Sequence, residues 1–407
     1  MQNSSDTITA IGEIPAPAAR AALPLTVIGG LAFLTVVDLF AAQAILPSLT
    51  EHYNVLPSQM AVAVNASTIG MAVSSLLVAL FNKSIPRRAG IVCALLILAF
   101  PTARLAHAAS LGEFTALRIM QGLLMAGAFS LTLAYLGERT PAQATATAFA
   151  AYIAGNVASN LIGRFAAATA TAHLGLSAAF YILASLNLAG AALAYVSLTH
   201  MKPECSEAHS PPSWLRLKTH LSDRSLLSAF LIGFLILFAF IGTFSFINFT
   251  LVRPPLSVSM SGLGFSYAVF APSIATTLAA GAAVKRWGSR RALWIGFAVA
   301  GAGLPLLLAG NLATVLAGMT LVAAGTFFAQ GTATGFVSRT AKTDRAAASG
   351  LYLTSYFFGG IVGAAVLGRV FDAFGWPGCV AGIAVALALA FLLTLALSEP
   401  SGSTQNS

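Results

Sequence analysis

From Leu23 to Leu49 the chain reads LPLTVIGGLAFLTVVDLFAAQAILPSL, a run with a single charge, Asp38. At about 1.5 Å per residue, a helix of that length crosses the roughly 30 Å apolar core of a bilayer. Eleven comparable runs follow, near 58–81, 89–107, 112–136, 146–171, 176–198, 225–251, 261–284, 290–309, 313–337, 346–369 and 376–397. A segment surrounded by lipid must satisfy its own backbone, and a helix does so within one segment. The sequence therefore predicts an all-α membrane protein with 12 transmembrane helices. Composition agrees: 57% of residues are hydrophobic and 8% charged, where a soluble domain carries about 25% charge.

Basic residues set the expected orientation. With the N-terminus in the cytoplasm, 16 of the 21 lysines and arginines fall in cytoplasmic segments; three, Arg104, Arg253 and Arg369, fall in outer loops. This is the positive-inside pattern of a multi-pass protein with both termini cytoplasmic. The net charge of +9 is then a topology signal, and no nucleic-acid partner is expected. Residues 1–22 read as a polar tail without the charged, apolar and cleavage regions of a removed signal peptide. Cys93, Cys205 and Cys379 share no close spacing, so no disulfide framework, metal site or cofactor is expected.

The longest polar loop, about 200–224, reads as a cytoplasmic linker between residues 23–199 and 225–398, with 399–407 a second tail. Its Pro211-Pro212 and Trp214-Leu215 fit a tether with a short surface helix. The two flanking stretches repeat weakly. At an offset of 200, Tyr152 falls on Tyr352, Gly163 on Gly363, Gly175 on Gly375, and Arg139-Thr140 on Arg339-Thr340. Near an offset of 202, SIPRRA meets WGSRRA, with Lys83 over Lys285. The expected architecture is two six-helix pseudo-symmetric halves.

Charged side chains inside the spans are the first functional candidates. A carboxylate deep in hydrocarbon costs about 2.5–3.5 kcal/mol on insertion scales, so Asp38 needs a wet cavity, a cationic partner or a proton. A carboxyl that alternates between wet and paired surroundings exchanges its proton as it does so. A packing aspartate, hydrogen-bonded to a neighbouring helix, is the alternative. Arg118 cannot deprotonate. It lies about six residues from the outer end of the fourth span, and Asp38 about eleven from that of the first. Their levels differ by about 8 Å, within reach of a long side chain; the alternative is snorkelling to the outer interface. Gln121, one turn on, either binds substrate or bridges helices.

Asn156, Asn160 and Arg164 form a stripe on the fifth span too polar for lipid, and Gly155 and Gly163 would let a neighbour approach closely. Gln43 is a further substrate candidate. Asn65 and Asn187 read as interhelical hydrogen-bonding residues. The second half carries no intramembrane charge. Its candidates are Asn248, Gln330, Tyr352 and Tyr356, with Phe234, Phe238, Phe244, Phe327 and Phe328 as packing or cavity surface. One charged and one aromatic half suit an amphipathic or hydrophobic organic substrate.

Over about residues 20–398 the chain resembles major facilitator superfamily transporters. GAAVKRWGSRR (Gly281–Arg291) resembles the loop signature G-x-x-x-D-R-x-G-R-R, and RIMQG (Arg118–Gly122) resembles the R-x-x-Q-G of proton-coupled members. YIAGNVASNLIGR (Tyr152–Arg164) is similar to the glycine-rich fifth-span signature of the drug/proton antiporter branch. GTFSFINFTLVRPP (Gly242–Pro255) and LYLTSYFFGGIVG (Leu351–Gly363) look like an arabinose-efflux-permease-like bacterial subgroup. The resemblance implies alternating access around a site between the halves, with Arg118 close to the proton site. It implies gating loops that contain Lys83, Arg87, Arg88, Lys285, Arg286, Gly288, Arg290 and Arg291. Lys83 and Lys285 stand where the signature has an acid thought to hold the inward gate, so that gate must use other contacts. Ser159-Asn160 replaces the usual Gly-Pro of the fifth span.

The expected function is proton-coupled secondary transport in a bacterial inner membrane, by a monomer, exporting a small amphipathic organic molecule. Uptake symport or facilitated passage of a sugar or organic acid is the alternative. An enzyme would need convergent acids or metal ligands, and a channel would need polar pore-lining repeats. The spans contain neither.

Overall fold

The computed structural model describes residues 23–81, 85–140, 142–199, 219–341 and 344–398. Lys83, both tails and linker residues 200–218 lie outside the described residues. No strand occurs among those described.

The first apolar run breaks in two, α1 (Leu25–Ala44) and α2 (Leu46–Tyr53), where one helix over 23–49 is expected. Pro47 is the reason. It has no N–H for the carbonyl four residues earlier, that of Gln43. The second run also splits, into α3 (Pro57–Asn65) and α4 (Ser67–Phe81), with Ala66 between. There the Asn65 amide donates to Ala61 O (2.8 Å) and the Thr68 hydroxyl to Asn65 O (2.8 Å). The remaining helices of this group are α5 (Arg87–Arg104), α6 (Leu111–Arg139), α7 (Ala142–Leu174) and α8 (Leu176–Ser197). A second group comprises α9 (Arg224–Val252), short α10 (Met260–Ser266), α11 (Ala271–Gly303), α12 (Leu312–Thr340) and α13 (Arg345–Leu393). Ser110 caps α6 and Asn311 caps α12, each side chain accepting a backbone N–H (3.2 and 2.9 Å).

Nine helical stretches among the described residues are long and apolar enough to cross a membrane. Two of them, Gly262–Leu308 and Ala347–Ala396, are 47 and 50 residues long. They are interrupted at Gly288 (φ 82°) and Gly375 (φ 68°), left-handed positions that favour glycine. The 33-residue α7 is not among the nine; it is rich in alanine, threonine and asparagine.

The internal repeat has a structural counterpart. In the first group α1 lies along α7; in the second, α9 lies along α13. Gly163 and Gly363 occupy these two contacts. A Cβ on Gly163 would fall 2.8 Å from Val37 Cγ2, and one on Gly363 would fall 2.7 Å from Phe238 O. The basic loops match as well. Arg88 donates to Tyr195 O at the end of α8 (2.7 Å). Arg290 donates to Leu395 O (3.0 Å) and Leu397 O (2.6 Å), just past α13. A cation at final helix carbonyls is favourable there. The structural register is therefore 202, pairing Arg88 with Arg290. The letter match of RRA with RRA is one residue out.

The groups meet where α3 and α4 run along α13, from Gly368 opposite Ser58 to Gly350 opposite Ala79, and where α7 meets α10 and α11. The end that carries Ala79, Arg88 and Arg290 is termed the basic end below.

Candidate functional site

Asp38 is 1% exposed and lies inside the N-terminal group. At about 100° per residue, Val36, Leu39 and Phe40 share a face of α1 that lines a central cavity, and Asp38 points away from it. Its Oδ2 accepts from Thr102 Oγ1 of α5 (2.7 Å), Gln121 Nε2 of α6 (3.1 Å) and Asn187 Nδ2 of α8 (2.8 Å). Its Oδ1 has no hydrogen-bond partner among the described residues.

Arg118, also 1% exposed, forms no ion pair with this carboxylate. Its Nη1 reaches the Asp38 backbone carbonyl (3.1 Å) and Gln121 Oε1 (2.7 Å). Gln121 therefore bridges, holding the guanidinium with its oxygen and the carboxylate with its nitrogen. Arg118 Nε donates to Val64 O (2.9 Å) and Nη2 to Ser67 Oγ (3.1 Å), on either side of the break between α3 and α4. The last residue of RIMQG completes the contact. A Cβ on Gly122 would fall 1.7 Å from Ser67 O, so only glycine lets α6 approach the break this closely.

A second network lies where the groups meet. Gln43 donates to Asn65 Oδ1 (2.8 Å), and Asn65 donates to Ser245 Oγ of α9 (3.1 Å). Asn248 of α9 donates to Gln43 O (2.7 Å), the carbonyl that Pro47 leaves without its usual partner, and Tyr267 donates to Asn248 Oδ1. Arg164 donates from Nε to Asn160 Oδ1 (2.7 Å) and from Nη2 to Gln43 Oε1. It lies among four rings, Phe40, Phe244, Tyr267 and Phe270, with centroids 4.6–5.7 Å from its central carbon.

The cavity, of about 50 Å³, takes its wall from both groups; Asn156, Gln330 and Tyr356 share it with Phe240, Phe327 and Leu353. Pockets that hold drug-sized ligands have roughly 300–1,000 Å³, so in the described conformation this space is too small for one. The sequence candidates thus separate. Asn156, Gln330 and Tyr356 line the cavity, and Gln43, Asn160, Arg164 and Asn248 form the network between the groups. Gln121 belongs with Asp38. Tyr352 stacks on Tyr356 (6.2 Å) and fills the space over Gly233.

Of the loop residues, Arg87 pairs with Glu138 (2.6 Å), and Lys285, Arg286 and Arg291 are exposed. Arg286 lies over the Trp287 ring (5.5 Å). Arg339 donates to Ser289 Oγ (3.1 Å). At the basic end, Thr354 donates to Ala72 O across the groups (3.3 Å).

Sequence reasoning overlooked Thr102, Ser67, Ser245, Phe40, Tyr267 and Phe270. A threonine or phenylalanine in a span carries no signal of its own. Pro47 did carry one, since it marks the Gln43 carbonyl as available.

The profile of the Major Facilitator Superfamily matches residues 28–269 and 255–407. The uncharacterized MFS-type transporter YybF of Bacillus subtilis (strain 168) is 27% identical over 369 residues, covering 89% of this chain and 90% of its own. The inner membrane transport protein YnfM of Escherichia coli (strain K12) is 28% identical over 362 residues, covering 87% and 85%. Among solved structures, an inward-facing bacterial homolog of the human lysosomal transporter Spinster superposes with TM-score 0.75 at 14% identity, covering 92% of this chain and 96% of that one. The nucleoside transporter NupG (D323A mutant) gives TM-score 0.71 at 15% identity, covering 92% and 99%.

Proposed function

Since this chain belongs to the major facilitator superfamily, we propose that it is a proton-coupled secondary active transporter working by alternating access. Two six-helix halves, 23–199 and 225–398, rock about the central cavity, joined by the linker 200–224. Twelve crossings follow if the two long helical stretches each fold into a pair at Gly288 and Gly375, and α7 spans despite its polar content. The positive-inside count supports a cytoplasmic basic end and cytoplasmic termini, in a bacterial inner membrane. The solute is a small amphipathic organic molecule, and resemblance to the drug/proton antiporter branch favours export by a monomer.

One observation carries this reading: the hydrogen-bond path from Asp38 to the contact between the groups. Three donors on Asp38 Oδ2 are the complement of an anion. A proton on the unpartnered Oδ1 removes the charge that strengthens all three bonds, and one on Oδ2 displaces a donor, because a carboxylic acid donates where a carboxylate accepts. Gln121 is one of the three, and its other end holds Arg118. Arg118 in turn fastens the break between α3 and α4, where Asn65 bonds to Ser245 of the opposite group. Loading and unloading Asp38 thereby loosens and tightens the seam.

The test is solute-evoked proton flux into proteoliposomes containing a pH-sensitive dye, across organic cations, sugars and carboxylates. The wild type should give flux with at least one class and Asp38→Asn with none. Equal flux from both would retire the scheme. In a cysteine-free background, Ser257→Cys should label from outside and Ser210→Cys should not; the reverse inverts the topology.

A second reading, symport of an organic acid, has a specific observation behind it. Among the described residues the buried interior holds two guanidiniums, Arg118 and Arg164, against one carboxyl, Asp38. A surplus of positive charge suits an anionic solute that travels with a proton.

A further inference from the structure

We infer that Arg164 and Asn160 form an anion site that takes the carboxylate of a small organic acid with an apolar body; this rests on the symport reading. Arg164 is fully buried, permanently charged and without an ion pair among the described residues. Its Nη1 has no hydrogen-bond partner among them, and neither has Asn160 Nδ2. The Asn160 amide is oriented by Arg164 Nε, which occupies its oxygen, so its nitrogen is a donor aimed elsewhere. Two unused N–H groups therefore stand one helical turn apart on α7. Arg118 differs: each of its three nitrogens donates to a named acceptor.

The surroundings of Arg164 divide along the seam. Phe40, Gln43 and Asn160 belong to the first group; Phe244, Tyr267 and Phe270 belong to the second. The Tyr267 hydroxyl donates to Asn248 and offers its oxygen to the Arg164 guanidinium, so it is a polar partner that the second group supplies to Arg164. When the groups part at this end, three of the four rings leave. The guanidinium then keeps only Gln43 and Asn160 of its own group, and a carboxylate is the anion that would complete it. Two turns along α7, Asn156 enters the cavity wall, whose aromatic lining would take the apolar body of the same molecule. The sign of coupling follows: a proton on Asp38 removes negative charge from the interior and strengthens anion binding, so acid and proton load together.

The test uses the purified full chain and its thermal unfolding midpoint with benzoate, benzamide or benzylammonium. Benzoate should raise the midpoint of the wild type, and the neutral and cationic analogues should not. Arg164→Gln should lose the shift, and Arg164→Lys should keep part of it. Asn160→Asp, which supplies an internal carboxylate, should unfold at a higher temperature without any probe and ignore benzoate. This variant decides the matter if Arg164→Gln does not fold. A wild type unmoved by benzoate, a shift with benzylammonium, or a benzoate response that survives in either Arg164→Gln or Asn160→Asp overturns the site. Proton flux evoked only by cations or neutral solutes sinks the anion site and leaves the transporter; no flux with any solute sinks the transporter reading, while a benzoate shift would still mark the site.

Discussion

Arg118 and Arg164 are both buried, and both sit in the N-terminal group, yet the chain treats them in opposite ways. Arg118 lies inside the group. It is spent on two backbone carbonyls, a glutamine and a serine, with Asp38 one bridge away. Arg164 lies at the seam. It has Asn160 and Gln43 of its own group, the Tyr267 hydroxyl of the other, four aromatic faces and an Nη1 with no hydrogen-bond partner among the described residues. The contrast separates charge used to hold a helix break in shape from charge kept available at a surface that opens.

Four substitutions, two of them with a control, probe that contrast, in falling order of effect. Arg118→Ala should cost about 3–5 kcal/mol in unfolding free energy, because it strands the Asp38 and Val64 carbonyls in a dry interior and removes the buried cation nearest the Asp38 carboxylate. Arg253→Ala, at an exposed position, should leave stability and transport unchanged. Equal losses would mean that Arg118 supports nothing. Gly122→Ala should cost about 1–3 kcal/mol, since α6 must retreat from Ser67. Its control is Gly301→Ala, where an added Cβ meets nothing within 4 Å; that change should stabilise by up to about 1 kcal/mol. Urea titration in detergent reads both. Ser245→Ala should cost about 1 kcal/mol by removing an acceptor of Asn65 across the seam. It should also speed exchange of the Asn65 neighbourhood with deuterium; unchanged exchange would detach that bond from opening. The smallest effect belongs to Tyr356→Phe in the aromatic cavity wall. Unfolding should shift by less than about 0.5 kcal/mol, and a larger shift would mean that this hydroxyl has a polar partner.

Much of this was legible in the letters, and the failures have physical causes. Spacing placed Asp38 and Arg118 within reach of each other, because depth along a straight helix follows from counting. That Gln121 stands between their side chains depends on rotation about the helix axes, which counting does not supply. Asn187 read as a residue holding helices together; it also holds Asp38. The rings around Arg164 escaped notice because Tyr267 and Phe270 lie in a 3₁₀ turn before α11, within what reads as one uniform apolar run from 261 to 284. The break at Ala66 was hidden for the same reason, since apolar content shows that a segment spans and only local hydrogen bonding shows where it bends; the break at Ile45 was signalled by Pro47. Positive φ at Gly175 and Gly375, by contrast, gives the offset of 200 a conformational cause.

The Arg88 and Arg290 clasps close each group on itself. Each fastens the final helix of its group to the connection before the third, and Ser398 N reaches back to Ser225 Oγ in the second group (3.0 Å). A bundle buckled from within does not need the other to hold its outline. Two polypeptides made separately, one ending and the other beginning inside 200–224, should each mature in the bilayer and reunite there as a working carrier.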